Sequence, residues 1–344
     1  MRKVSLQDLC LKGMPDMNEF RILRFYDQAL AIRDGLVISP HMATLHFSNV
    51  CNQNCLGCTY QDLLTLDVIS KSDGLRIIED LIDNGVTAFE FCGGGEPLMI
   101  PFLDVFIGKL LEHGCSYGVI TNGVCLTPEM INLFARTATF VRISLEASSM
   151  KDYTRYKKVD ESHWERVLEN VKSLTERKKD CEVGIKFGVG QSLHGSEHYS
   201  NAFVLAKQLG VDNLQFKSFC HEPEELSCEQ KIVEDELLWK FKCSIPCYKR
   251  ILPEESVKCW LSPLHTVVDY LGDVYLCCYY YYRADKMKLG NLLTTSFGDM
   301  WFSLRHRKLL SLIKVKDCQK VDCKFFRHQK LIERISRSGE CEFL

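Results

Sequence analysis

Three cysteines, Cys51, Cys55 and Cys58, stand in the run C-N-Q-N-C-L-G-C, a C-x3-C-x2-C spacing just after the apolar segment 43–47. Three thiolates this close can hold three corners of a cubane 4Fe–4S cluster, leaving the fourth iron open to a substrate or cofactor. A structural zinc site instead takes four ligands, usually as two separated C-x2-4-C pairs, and has no use for an open corner. A second group follows the next strand-like run, as Cys92-Gly-Gly-Gly-Glu96-Pro97. Its glycines permit close backbone approach, and Glu96 offers an anionic acceptor to an ammonium. Alone, such a run is read equally well as a strand-to-helix turn.

The elements that must position these groups are those of an ordinary globular chain. With 344 residues, 46% apolar and 26% charged, the chain can bury a large domain and a smaller one. A net charge of −2 gives no global attraction to nucleic acid or to an anionic membrane. The basic runs at 177–179 and 305–308 read as solvated helix faces. The N-terminus has no apolar stretch behind its basic start, and nowhere do 18 apolar residues run together. Eighteen cysteines without an export signal point to a reducing, cytoplasmic setting, where clustered thiols bind metal or do redox chemistry.

Short apolar runs at 43–47, 88–92, 117–120, 140–145, 183–189 and 213–216 alternate with amphipathic stretches such as 74–84 and 163–175. Repeated strand–helix units build a parallel sheet, open or closed into a barrel, with the active site at the C-terminal strand ends. After about residue 240 the cysteines crowd together. Residues 266–270 and 274–277 around Gly272 read as a hairpin, and 297–313 as one helix. The expected fold is α/β: a partial (β/α)6 TIM-like barrel with a small C-terminal hairpin-and-helix extension. Its divisions are 1–42, an N-terminal segment; 43–240, the barrel; 241–330, the extension; and 331–344, a tail.

The cysteine loop after the first strand resembles the signature of the radical S-adenosylmethionine (radical SAM) enzymes. The Gly94-Gly95-Glu96-Pro97 run is similar to that family's GGEP motif, which contacts the methionyl amino group. Thr121-Asn122-Gly123 and Ser144-Leu-Glu146-Ala resemble its next two segments, the serine commonly touching the ribose. The resemblance covers about 43–190 and implies a cofactor-binding set of Gly94, Gly95, Glu96, Asn122, Ser144 and Lys186. Residues 184–189 would supply backbone to adenine, with Gln191 beside them. Two departures stand out: Glu146 where aspartate is usual, and Gly57 where an aromatic residue often precedes the third cysteine.

Cys259, the G-D-V-Y-L-C run ending at Cys277, Gly290-Asn291, Trp301 and the pair Cys318 and Cys323 are similar to the shortened SPASM, or twitch, extension. That resemblance implies a second, auxiliary 4Fe–4S cluster on these four cysteines. Four thiolates would equally suit a zinc knob. The layout is most similar to the sugar and cyclitol dehydrogenases of aminoglycoside biosynthesis. It implies a small-molecule substrate, a reducing partner such as flavodoxin or ferredoxin, and no nucleic-acid or membrane partner.

The family resemblance implies reductive cleavage of S-adenosylmethionine and hydrogen abstraction from a substrate C–H. A fully ligated auxiliary cluster could then take an electron, giving a two-electron oxidation. The rival is epimerisation, with hydrogen returned by a thiol: Cys278, Cys220, Cys243 or Cys247. Arg283, Arg155, Tyr153 and His194 are candidate bases or carboxylate anchors; Cys278 and Arg283 are taken as the catalytic pair. Maturation of a peptide is the third reading, disfavoured because residues 1–42 are too few for the usual peptide-recognition domain.

Overall fold

Strand and helix alternate as the apolar pattern requires in the computed structural model, which describes residues 24–58, 60, 64–189, 196–218, 247–249, 259–277, 287–314 and 332–333. A first helix, α1 (Tyr26–Arg33), precedes β1 (Met42–His46), α2 (Lys71–Asp83), β2 (Ala88–Phe91), α3 (Leu103–Glu112) and β3 (Ser116–Thr121). Then come α4 (Pro128–Thr137), β4 (Phe140–Glu146), α5 (Met150–Lys157), α6 (Glu161–Arg177), β5 (Glu182–Val189), α7 (Ser196–Leu209) and β6 (Asn213–Ser218). The remainder is β7 (Cys247–Lys249), β8 (His265–Asp269), β9 (Asp273–Tyr275), β10 (Lys288–Asn291), α8 (Phe297–Trp301) and α9 (Leu304–Leu312).

The ten strands among the described residues form one sheet in the order β10-β9-β8-β1-β2-β3-β4-β5-β6-β7. From β8 through β7 every pairing is parallel. The β8–β9 and β9–β10 pairings are antiparallel. Among the described residues β10 and β7 do not pair, so the barrel is partial, as expected. The boundary expected near residue 240 falls between β6 and β7 of this continuous sheet. The C-terminal hairpin is therefore an extension of the barrel sheet through β1.

A strand turns successive side chains to opposite faces. Leu45, Phe91, Val119, Val141, Ile143 and Ile185 share a buried core with the helices. Thr44, His46, Glu90, Arg142, Ser144 and Lys186 occupy the alternate positions, on the face turned away from that core, which in a partial barrel is the concave, inward face. Fully buried parallel strands usually read as continuous apolar runs. Polar residues at every second position mark a face reserved for something other than packing.

Strand and helix limits shift from the expected ones by a few residues, within the fraying of element ends. One expectation changes in kind. Residues 297–313 form two helices rather than one, because the Ser303 hydroxyl accepts from the His306 amide at 3.2 Å and starts α9 afresh. The extension is anchored on α2: the Phe297 amide donates to Asp80 at 2.7 Å and Arg76 donates to the Leu292 carbonyl at 2.9 Å. Fully buried Trp301 stacks on Phe297 and donates Nε1–H to the Ile38 carbonyl at 2.7 Å. Trp301→Ala should therefore cost about 3–5 kcal/mol, measured by urea unfolding, as for other large buried aromatics. A loss under about 1 kcal/mol would show that the extension adds little to the fold.

Candidate active site

The cysteine loop leaves the end of β1 and is pinned from the far side by α5. The Asn54 amide donates to the Lys157 carbonyl at 3.2 Å, and that of Leu56 to the Tyr156 carbonyl at 2.7 Å. Gln53 donates to the buried Tyr153 hydroxyl at 2.9 Å. Gly57 has φ +70°, so the turn between Cys55 and Cys58 takes a left-handed conformation that an aromatic residue would adopt only under strain. The departure at this position thus has a local backbone reason.

Cys51, Cys55 and Cys58 are half-buried, and no disulfide engages them. Burial pushes the Cys51 thiol up to about 12 and also raises that of Cys58, so ionising them needs positive charge close by. No three His, Cys, Asp or Glu side chains among the described residues are gathered as a single metal ion requires. A four-iron cluster distributes its ligands over separate irons, which suits three thiols spread along one loop.

The glycine turn packs directly on this loop. The Gly95 amide donates to the Ser48 carbonyl and the Glu96 amide to the Val50 carbonyl, both at 2.7 Å. A Cβ on Gly95 would lie 2.0 Å from the Val50 carbonyl oxygen, and one on Gly94 2.8 Å from that of Ser48. Glu96 is buried and inward-facing: it accepts from the Leu98 amide at 3.1 Å, the Asn122 amide at 2.8 Å and the Thr121 hydroxyl. Burial pushes its carboxyl up, against the pull of these donors. Three bonds leave a carboxylate about one further acceptor position. Glu96 is thus first a tie between two loops. Asn122 is a second tie, donating to Asn52 at 2.7 Å and accepting from the Val124 amide at 3.0 Å.

At the β4 end a bulge between Ser144 and Glu146 sets Glu146 at φ +70°. Its carboxylate meets Lys186 on β5 at 2.7 Å. Lys157, 3% exposed, donates to the Ser144 carbonyl at 2.8 Å. Burial pulls its ammonium down, but Cys55, Glu146, Tyr153 and Cys51 outweigh that and leave it raised, so a cation sits beneath the cysteine loop. Sequence reading passed over Lys157, which lies late in a helix like any surface lysine.

Removing one member of a buried ion cluster commonly costs about 3–5 kcal/mol, because its partners are left uncompensated. Lys157→Met should therefore reduce the iron retained by the cysteine loop several-fold; wild-type iron loading would refute this role.

Other sequence candidates separate here. Tyr153 is core, with its hydroxyl engaged by Gln53. Arg155 is exposed and paired with Asp152 at 2.9 Å. Cys259 and Cys277 are half-buried against the main core. Cys247 lies in β7. Cys278, Arg283, Cys318, Cys323, Cys220, Cys243, Gln191 and His194 lie outside the described residues.

A partial parallel barrel with a thiol loop and glycine turn at its C-terminal strand ends is the site of a cofactor-dependent α/β enzyme. Residues 45–198 match the family model of the Radical SAM superfamily, and residues 259–324 that of SPASM, an iron–sulfur cluster-binding domain. The chain thus carries a radical SAM domain followed by a SPASM iron–sulfur domain. A curated relative, the S-adenosylmethionine-dependent nucleotide dehydratase of Thermoplasmatales archaeon (strain ISO4-H5), is 23% identical over 127 residues, 37% of this chain and 45% of that protein. The match thus spans less than half of that relative. Among solved structures, Streptococcus suis SuiB bound to precursor peptide SuiA is similar with TM-score 0.66 and 14% identity, over 87% of this chain and 74% of that one. Native anSMEcpe with bound AdoMet has TM-score 0.61 and 18% identity, over 85% and 88%. At these identities the structures show a shared fold.

The family implies a 4Fe–4S cluster and S-adenosylmethionine, and the SPASM domain implies auxiliary iron–sulfur. The residues present fit. Cys51, Cys55 and Cys58 would hold the first cluster, Lys157 offsets charge beneath it, and Gly94 and Gly95 let the turn pack directly on the backbone of the cysteine loop, where a Cβ would clash. No helix among the described residues is long and apolar enough to cross a membrane.

Proposed function

We propose that this protein reductively cleaves S-adenosylmethionine and abstracts a hydrogen atom from a C–H bond of a small polar metabolite held in the barrel. When bound, the cluster and S-adenosylmethionine supply the electron and the 5′-deoxyadenosyl radical. The observation that carries the substrate class is the concave face. Arg142, Ser144, Glu146 and Lys186 give it guanidinium, hydroxyl, carboxylate and ammonium groups, with Thr44, His46 and Glu90 buried behind them. Arg142 lies over the Phe140 ring at 5.2 Å, and Lys186 is braced by Glu146. Fixed donors and acceptors of both charges suit a hydroxylated ring such as a sugar, cyclitol or nucleoside. The relative named a nucleotide dehydratase supports a small substrate.

Two ends are open to the substrate radical. Oxidation through an auxiliary cluster on Cys259, Cys277, Cys318 and Cys323 is supported by the SPASM match. It completes a two-electron dehydrogenation. The second, hydrogen return, is supported by a thiol on the concave face. The electron for cleavage would come from a flavodoxin or ferredoxin. Peptide maturation, which the likeness to SuiB brings forward, is the competing substrate class.

The test offers perdeuterated hexoses, cyclitols, nucleosides and a deuterated peptide to reconstituted protein with S-adenosylmethionine and reads deuterium in 5′-deoxyadenosine. Transfer from a hexose, cyclitol or nucleoside supports the reading. Transfer only from the deuterated peptide would overturn it.

A further inference from the structure

The concave face carries a cluster that neither the cofactor set nor the cysteine loop uses. Cys92, the residue just before the glycine turn, donates its S–H to Glu90 Oε1 at 3.4 Å. His46 Nε2 lies 3.8 Å from the same sulfur. Behind them Thr44 Oγ1 donates to Glu90 Oε1 at 3.3 Å, and His265 Nε2 meets Thr44 Oγ1 at 2.7 Å. One donor direction satisfies the chain: His265 Nε2–H to Thr44, Thr44 O–H to Glu90, and Cys92 S–H to Glu90. Thr44, His46, Glu90 and His265 are each at most 4% exposed, whereas Cys92 is half-buried. The thiol is therefore the most accessible member of the cluster.

Its place beside the cofactor turn is built in. A Cβ on Gly93 would lie 2.2 Å from His46 Nε2, and Gly93 has φ +64°. The first glycine of the triplet thus lets the imidazole lie flat against the turn, and Cys92 sits between that ring and Glu90. A thiol at the end of β2 stands at the C-terminal face, where barrel chemistry occurs.

The geometry points to Cys92 as the hydrogen-atom donor to a carbon radical in the barrel, with His46 and Glu90 as its positioning and reprotonating partners. This rests on the proposed radical cleavage and takes the second of its two ends. The radical R• takes hydrogen from Cys92, breaking S–H, forming C–H and leaving a thiyl. One electron from an iron–sulfur or flavin one-electron reductant converts the thiyl to a thiolate. One proton, from His46 or through the Glu90–Thr44–His265 chain, restores the thiol. An S–H bond is weaker than an ordinary C–H bond, so the transfer runs downhill; a serine O–H is stronger and cannot take its place.

The assay uses full-length reconstituted protein with S-adenosylmethionine and dithionite in D2O, without added substrate or thiol. The thiol exchanges to S–D, and the 5′-deoxyadenosyl radical itself reports on the nearest hydrogen donor. Mass spectrometry should find one solvent deuterium in most of the 5′-deoxyadenosine from the wild type. That fraction should fall at least fivefold in Cys92→Ala and in Cys92→Ser, the latter keeping nearly the native shape; iron content verifies assembly of both. An unchanged fraction in both variants, or no solvent deuterium with the wild type, would overturn the assignment of Cys92 while leaving the cleavage reading intact. No 5′-deoxyadenosine at all would overturn the cleavage reading and this one with it.

Discussion

Replacing Cys51, Cys55 and Cys58 together by alanine should abolish formation of 5′-deoxyadenosine from S-adenosylmethionine, down to the background without protein. The loop that carries these thiols is held by backbone bonds to Tyr156 and Lys157 and by the Gln53–Tyr153 bond, none of which uses a thiol. Substitution there should accordingly leave the unfolding free energy from urea titration within about 0.5–1 kcal/mol of wild type, as for partly exposed sites outside a packed core. Loss of cleavage with the fold retained is the expected pairing. Retained cleavage would show that the C-x3-C-x2-C loop is not where the electron enters.

The second large effect is expected at Gly95. A methyl group there meets backbone, at 2.0 Å from the Val50 carbonyl oxygen and 2.6 Å from the Val50 nitrogen, so no side chain can move aside to admit it. The turn must shift and loosen the Gly95–Ser48 and Glu96–Val50 bonds. Displacing a reacting partner by about 1 Å can cost about a hundredfold in rate. Gly95→Ala should therefore slow cleavage by about two orders of magnitude even when the cluster is loaded, as shown by iron content. Gly108→Ala is the control: nothing lies within 4 Å of its Cβ position, and helix interiors favour alanine over glycine. Equal rates for both variants would mean that the turn is a spacer and not part of the cofactor cradle.

Much of this was legible in the residues. The strand–helix alternation, the thiol loop and the glycine turn each have a local signature, and each is found in the expected order along the sheet. Less legible was what long-range packing decides. Glu96 reads as an acceptor for a ligand, yet its carboxylate is largely engaged by Leu98, Thr121 and Asn122. Lys157 is one lysine among many until α5 folds under the cysteine loop. The attachment of β8 to β1 depends on a pairing between residues more than two hundred positions apart, which periodicity does not report.

The polar stripe of the barrel interior was visible but unused. Thr44 and His46, Glu90 and Cys92, and Arg142 and Ser144 interrupt strands whose neighbours are apolar. In a parallel sheet covered by helices that alternation departs from the continuous apolar runs of strands packed on both faces. Cys92 has no sequence signal of its own, standing as the first residue of the glycine run. The thiols expected from the sequence as hydrogen donors lie downstream, at 220, 243, 247 and 278.

The most direct measurement is iron and sulfide content of anaerobically reconstituted protein, wild type beside the Cys51/Cys55/Cys58→Ala variant. Two four-iron clusters require about eight irons falling to about four. Iron content unchanged by the triple substitution would contradict a cluster on this loop, and with it the radical chemistry built upon it.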